Sequence, residues 1–399
     1  MKRLTFLFVA MFATLSLSAQ YYPDFANKDM LHIRQPRTSH RTEIKLPVID
    51  GYTPYKADLH NHTIFSDGGV SMAVRVSEAW TNGIDVLAVT EHLEYRPHEN
   101  DMVKYLKGYT KNGPKVENTN FVSANRPASA EGIHVDLNYP VEVARRYAEA
   151  YGMTIIPGIE ITRKEEGWYS HFNVLFSTDN NAIYAPETLE SIRNAKKQGA
   201  LVMHNHPGWR HDDMKITKFE KRVYDAGLLD GIEVMNGSEF YPQAIDRAHK
   251  YNLFVSSNTD AHNPTAERYG DYGELRNMTI IYAKDQSLES LREAIEARRT
   301  IAYSFGTIAG EESLLRKFFG ASVSARKTVV RKNGVATVIL TNNSSVDWLL
   351  KVEGEKKLLE LTANSSIALN WNIAKPIACT VYNAWHGDNK QLVYDIKVE

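Results

Sequence analysis

The strongest constraint on the fold is a rhythm that begins at Tyr55 and persists to about residue 306. Short apolar runs ending in polar or charged residues alternate there with segments of helical period. Parallel strands need a crossover long enough for a helix, so this alternation is the mark of repeated βα units. Seven runs carry it: "YKADLHNH", "IDVLAVTEH", "TIIPGIEIT", "HFNVLFS", "ALVMHNHP", "GIEVMNG" and "LFVSSNTDAH". Helices are expected between them at "SMAVRVSEAWTNG", "YPVEVARRYAEAYG", "APETLESIRNAKKQG" and "YPQAIDRAHKYN", all of which end in the glycine or asparagine common at helix C-termini. Seven units imply an α/β chain built around a closed or nearly closed barrel.

Outside the rhythm the grammar changes four times. "MKRLTFLFVAMFATLSLSAQ" has a basic start, a short apolar run and small residues, the layout of a secretory signal peptide over residues 1–20. The run is too short to span a membrane, no later segment is long enough, and no cysteine follows it to take a lipid, so export without a stable membrane anchor is expected. Residues 21–54 read as a polar, proline-punctuated lead-in. Residues 95–135 interrupt the barrel rhythm at a length unusual for a connection and read as an insertion or lid. From about residue 320 to 399, short alternating runs with turn signals suggest a small all-β module of sandwich type, leaving 55–310 as the barrel. The single cysteine, Cys379, permits no intramolecular disulfide. An exported chain of this kind must be held by its core or by metal.

Two His-x-His pairs, His60/His62 and His204/His206, prove little in a chain with 14 histidines. Their positions say more. Side chains at i and i+2 of a strand point the same way, and "DLHNH" lies where the first strand leaves the barrel, at the rim where such folds build active sites. The same rim receives Glu91 and His92 from the second run, Glu160 from the third and His171 from the fourth. His204 and His206 end the fifth, Asp260 and His262 end the seventh, and Asp67 follows the first in "SDGG". One buried histidine is ordinarily a satisfied core residue. Burying this many ionisable groups uncompensated would cost on the order of several kcal/mol each, and bound cations remove that cost. Nitrogen and carboxylate donors without thiolate suit Zn²⁺, Mn²⁺ or Fe²⁺.

The motifs "DLHNHTIFSDG", "VTEH", "PGIEIT", "HNHPG" and "TDAH", in this order over about residues 55–306, resemble those of the PHP (polymerase and histidinol phosphatase) superfamily. That resemblance implies a distorted, TIM-like (βα)7 barrel and metal-dependent phosphoester hydrolysis with two or three divalent ions, commonly Mn, Zn or Fe. It also implies the ligands His60, His62, Asp67, His92, Glu160, His171, His206, Asp260 and His262, with Glu160 bridging two ions. His60, His62, Glu160 and Asp260 would act in catalysis through a metal-bridging hydroxide. The histidine before proline is the family's ligand, so His206 is expected at the metal and His204 behind it. "TEH" stands where "TDH" is common, at a position that is not a ligand.

A bridging hydroxide needs no protein nucleophile, and neither Gly-x-Ser-x-Gly nor a phosphate-cradling Gly-x-x-x-x-Gly-Lys loop is present. Arg163 after Glu160, Arg210 and Trp209 after "HNHPG", and Asn236 after "GIEVM" are the candidate substrate contacts, the arginines for phosphate and Trp209 for a leaving group. Lys and Arg (47) balance Asp and Glu (48), and basic tracts with interleaved aromatics are absent, so a small-molecule phosphate ester is expected rather than nucleic acid. The signal segment, the tryptophan-bearing rim and the trailing β module resemble the exported phosphodiesterase-like branch, which puts diesters ahead of monoesters. An amidohydrolase also opens on His-x-His, but it usually bridges its metals through a lysine, and "HFNVLFS" has none. An inactive metal-binding scaffold would have lost ligands, whereas all nine positions are filled. No feature of the sequence sets an oligomeric state.

Overall fold

The computed structural model describes residues 40–110, 135–270, 275–331 and 333–399. The expected signal peptide, the first part of the lead-in and most of the expected lid lie outside these residues. The first half runs β1 (Thr53–Asp58), α1 (Met72–Thr81), β2 (Val86–Ala88), α2 (Glu99–Tyr105), α3 (Tyr139–Glu149), β3 (Thr154–Ile156), β4 (Gly158–Glu165), β5 (Trp168–Leu175), α4 (Thr188–Lys197), β6 (Leu201–His204) and α5 (Lys218–Asp225). It continues through β7 (Gly231–Asn236), β8 (Glu239–Phe240), α6 (Pro242–Tyr251), β9 (Phe254–Asn258), α7 (Ala266–Tyr269), β10 (Met278–Ala283), α8 (Leu288–Glu296), β11 (Thr300–Ser304) and β12 (Thr307–Gly310). Last come α9 (Glu312–Ser322), β13 (Val323–Val330), β14 (Val335–Asn342), β15 (Trp348–Val352), β16 (Leu359–Leu361), β17 (Ser366–Asn372), β18 (Ile377–Gly387) and β19 (Lys390–Ile396).

Each expected run contains a strand, and the chain is mixed α/β, yet the strands do not form one continuous parallel barrel. They fall into two sheets. In one, β1, β2 and β3 pair in parallel; in the other the order is β4, β5, β6, β7, with β9 on β7. Two isolated parallel bridges, Asn61 with Ala261 and His92 with Glu160, join the sheets where the ligand-bearing residues lie. The departure has a local cause. Glu166 and Gly167 both have positive φ (51° and 94°), the backbone of a two-residue hairpin turn whose twist matches its flanking strands. The chain therefore reverses directly from β4 into β5, which pairs antiparallel to both β4 and β6. The stretch "RKEEGWYS" forms this hairpin.

The C-terminal strands also differ from a free-standing sandwich. β13, β14 and β17 make a separate three-stranded sheet. β18, however, pairs in parallel with β12, so β15, β16, β18 and β19 extend the sheet that holds β1 through β10, β11 and β12. Trp348, fully buried, packs its ring on Phe318 and Phe319 of α9 at 5.4 and 5.0 Å. The lead-in joins this packing, since Lys45 and Ser345 exchange hydrogen bonds at 2.8 Å.

Helix boundaries follow their sequence signals. Ser71 and Ser287 cap α1 and α8 by accepting N–H groups of their first turns, and Thr217 with Glu220 forms a reciprocal capping box on α5. Apolar side chains of these helices cover the strands from outside. That leaves the rim polar.

Candidate metal centre

β1 ends at Asp58, and its extension carries His60 and His62 inward side by side, their Nε2 atoms 3.2 Å apart. Asp260, after β9, brings Oδ1 to 3.2 Å from both nitrogens. Glu160, in the middle of β4, lies fully buried among four imidazoles. His60 Nε2 is 3.4 Å from one of its oxygens and His62 Nε2 3.6 Å from the other, while His92 Nδ1 stands at 2.6 Å and His171 Nδ1 at 3.4 Å. His206 Nε2 completes this side, 3.9 Å from Glu160 and 3.8 Å from Asp260. On the other side, Asp67 Oδ1 faces His92 Nε2 and His262 Nε2 at 3.2 Å each.

All nine expected ligands thus meet at one place; eight of them fall into overlapping donor sets, and His171 stands beside Glu160 outside these sets. His62, Asp67, His92 and His262 form one, His60, Glu160 and His206 a second, and His60, His62 and Asp260 a third. Three observations fit these sets to divalent cations. Asp67 Oδ1 is buried and, among the described residues, faces only the two imidazole nitrogens, with no well-directed hydrogen bond to either, which for an anionic oxygen is costly unless a cation compensates it. His206 and Asp260 have φ of 25° and 49°, a strained backbone for residues other than glycine and one that concentrates at functional sites. And the donors are imidazole and carboxylate throughout, the mixture suited to Zn²⁺, Mn²⁺ or Fe²⁺.

The electrostatics differ from one imidazole to the next: burial would lower His60 and His92, but the surrounding carboxylates outweigh it and raise both. Burial, reinforced by the neighbouring His92 and His262, holds the His62 imidazole down at about 3, so it presents a lone pair at neutral pH. Burial and His171 likewise hold His206 at about 4. Burial would push the Glu160 carboxyl up, but His92, His60 and His171 outweigh it and keep it well below its ordinary range. The cluster is therefore anionic at its carboxylates and unprotonated at two of its imidazoles.

Several further residues support the cluster from behind. Glu233, fully buried on β7, accepts His60 Nδ1–H at 3.0 Å and the Asn258 amide at 2.8 Å on one oxygen; the other takes the His206 backbone N–H at 2.7 Å and the Asn236 amide at 3.0 Å. It fixes the ring orientation of one ligand and the backbone of another, the usual task of a carboxylate behind a metal-bound histidine. A glutamate inside the apolar run "GIEVMNG" was its only visible trace. Asn205 donates to Glu160 at 2.8 Å. Glu91, the residue of "TEH", accepts the Thr63 N–H at 3.0 Å and both the Thr63 and Ser66 hydroxyls, so it pins the loop between His62 and Asp67. Arg75 spans the His62 and Ala261 carbonyls at 2.8 Å, tying the first strand's end to the last. His204 points away from the cluster, to the Tyr224 hydroxyl at 2.8 Å and Glu220 at 3.3 Å.

A cavity of about 310 Å³ opens over the cluster. Of the expected substrate contacts, Trp209 and Asn236 line it. Arg163 and Arg210 do not. Arg163 differs from Glu160 by an odd number of positions on one strand, so the pleat sends it to the opposite face. There it meets Glu94 at 2.7 Å and the Ala185 carbonyl at 2.6 Å, over the Tyr184 ring. Arg210 stacks instead on Trp209 and Tyr169, 4.5 and 5.1 Å from their ring centroids.

A two-domain protein from Bacteroides vulgatus, described as containing a predicted PHP-like metal-dependent phosphoesterase, is 33% identical over 90% of this chain and 98% of its own, with a TM-score of 0.76. The chain belongs to the PHP-like metal-dependent phosphoesterases. Two other structures are similar at a lower level. A putative metal-dependent phosphoesterase from Bifidobacterium adolescentis is 15% identical over 53% of this chain and 90% of its own, with a TM-score of 0.35. A lesion-specific endonuclease from Pyrococcus furiosus is 17% identical over 65% of this chain and 59% of its own, at the same TM-score. At that score neither bears on activity. No family model and no curated protein matches the chain. Membership agrees with the cluster described above, and divalent metal binding is what the PHP-like fold and the donor sets jointly support.

Proposed function

We propose that the protein is an exported hydrolase of small-molecule phosphate esters, acting on phosphodiesters ahead of monoesters. The observation that carries this reading is the convergence of nine His, Asp and Glu side chains, Glu160 among them, eight of which share overlapping donor sets while His171 lies 3.4 Å from Glu160. His60, Glu160 and His206 would hold one ion, His62, Asp67, His92 and His262 another, and Asp260 with His60 and His62 would complete the centre. Divalent ions there would activate water at neutral pH and neutralise phosphoryl oxygens.

The chain's own residues supply the rest. Glu233 keeps His60 Nδ1 protonated and its Nε2 turned inward. Asn205 holds the bridging carboxylate at one oxygen. Asn236, at the cavity edge, donates its amide to Glu233 at 3.0 Å and to Asp260 at 3.4 Å, which ties the two carboxylates together beside the substrate space. Trp209 supplies a flat apolar wall, braced from behind by Arg210. A cavity with an aromatic side has room for the second substituent of a diester. Export is supported by the layout of residues 1–20, and no helix among the described residues is long and apolar enough to cross a membrane.

The mature chain should be purified, its metals measured, and a chromogenic phosphodiester assayed beside its monoester. Chelator-sensitive hydrolysis with the diester preferred is expected. Two or three bound ions with neither ester hydrolysed would refute the reading.

A further inference from the structure

Arg163 and Arg210 are turned elsewhere, and among the described residues Arg268 is the one Lys or Arg side chain on the cavity wall that could join the ions in meeting the substrate's anionic charge. Arg268, on the short helix α7, lines the cavity beside Asp260, His262 and Asn236. Its position is prepared by its neighbours. Nη1 donates to the Thr259 carbonyl at 3.3 Å, which aligns the guanidinium with the turn that carries Asp260. The arm crosses directly over Gly237, whose φ is 53°; a Cβ there would overlap Nη1. Thus "NG" after β7 both turns the chain and leaves room for the arginine.

The charge on Arg268 is uncommitted compared with the other arginines near the site. Arg163 pairs with Glu94, Arg276 with Asp58 and Arg75 with Glu78. Among the described residues no carboxylate lies in ion-pair reach of Arg268, and its side chain is exposed toward the cavity mouth, beside the phenol of Tyr269. A guanidinium has five donors in a planar fork, of which the Thr259 carbonyl and the Tyr269 phenol occupy two and leave the others for a ligand. The fork matches two oxygens of a phosphate better than an ammonium can.

We infer that Arg268 is the phosphate-binding arm of this site, donating to non-bridging oxygens of the phosphoryl group while Gly237 keeps its path open. The inference rests on the phosphoesterase reading. It assigns the site to esters whose reacting phosphoryl carries at least one free anionic oxygen, whatever the leaving group.

The test uses the metal-loaded full mature chain with bis(p-nitrophenyl) phosphate, whose only anion is the diester, and inorganic phosphate as competing ligand. Arg268→Ala should lower kcat/KM roughly 10- to 100-fold, the range for a lost hydrogen bond to a charged group. It should weaken phosphate inhibition to a similar degree, with metal content and unfolding midpoint unchanged. Arg268→Lys should recover only part of the loss. Gly237→Ala should lower kcat/KM in the parent but add little in the Arg268→Ala background, because both changes act through one side chain. Unchanged kinetics and inhibition in Arg268→Ala, loss of metal from it, or additive effects of the two substitutions would each overturn the inference while leaving the phosphoesterase reading in place. A metal-loaded parent chain that neither hydrolyses the ester nor binds phosphate would overturn both.

Discussion

Replacing Glu233 by glutamine changes one atom behind the metal centre, and the structure sets what should follow. The two carboxylate oxygens accept four donors: His60 Nδ1–H and the Asn258 amide on one, the His206 backbone N–H and the Asn236 amide on the other. A glutamine keeps the shape but turns one acceptor into an NH₂ group facing two donors. Leaving buried donors unpaired costs about 1–3 kcal/mol, and His60 loses the charge that orients it. Outer partners of metal-bound histidines typically change affinity or activity about 10- to 100-fold, or roughly 1.4–2.8 kcal/mol. Glu233→Gln should therefore lower metal affinity and kcat/KM by that factor, and lower the metal-free urea midpoint. A sign follows for pH. Burial would raise the Glu233 carboxyl, but His60 and His206 outweigh it and hold it below its ordinary value. Its contribution to stability is thus present above the unfolded carboxylate pKa and disappears as pH falls through the lower folded one. The glutamine variant should lack that part of the acid dependence. Competitive chelator titration, steady-state kinetics and urea unfolding at several pH values measure all three. Metal affinity and kcat/KM within twofold of the parent would refute the view that Glu233 orients His60.

Other consequences are simpler to read out. Trp348→Ala empties a fully buried site against Phe318 and Phe319 and should destabilise the chain by about 3–5 kcal/mol in urea, without changing bound metal per folded molecule. A cost below about 1 kcal/mol would show that α9 and β15 do not share a core. Arg163→Ala should leave KM for the diester within about twofold, because the guanidinium faces Glu94, yet lower the unfolding midpoint by orphaning that buried carboxylate; a tenfold rise in KM would restore Arg163 to the substrate site. Cys379 is buried and its thiol is pushed up to about 12 by burial and the nearby Asp395, so maleimide at pH 8 should label it only after unfolding. Rapid stoichiometric labelling of the native chain would contradict the burial.

The gathering of these side chains at one place was legible in the sequence because a strand end places side chains predictably. His60 and His62 share a strand face, and each later motif sits where another strand reaches the rim. The same logic, carried further, would have removed Arg163, since its parity on β4 is opposite to that of Glu160. The Glu166–Gly167 turn was visible but not used, and missing it left a hairpin described as two separate units. Glu233 left only the faint trace of a charge inside an apolar run. Arg268 left none, because its place depends on Gly237 and the Thr259 carbonyl, contacts made across the fold. The C-terminal strands were recognisable by their alternation. That β18 would join β12 rather than close a sandwich is a pairing across some seventy residues, and alternation carries no information about the partner strand.

The central claim is that these nine residues hold the ions of a phosphoesterase, and anomalous scattering tests it most directly. Crystals of the mature chain loaded with Mn²⁺ or Zn²⁺ should show two or three anomalous peaks around Glu160, each about 2.0–2.2 Å from donor atoms of His60, His62, Asp67, His92, His171, His206, Asp260 or His262. An active, metal-loaded chain with peaks elsewhere, or with none among these side chains, would contradict the account.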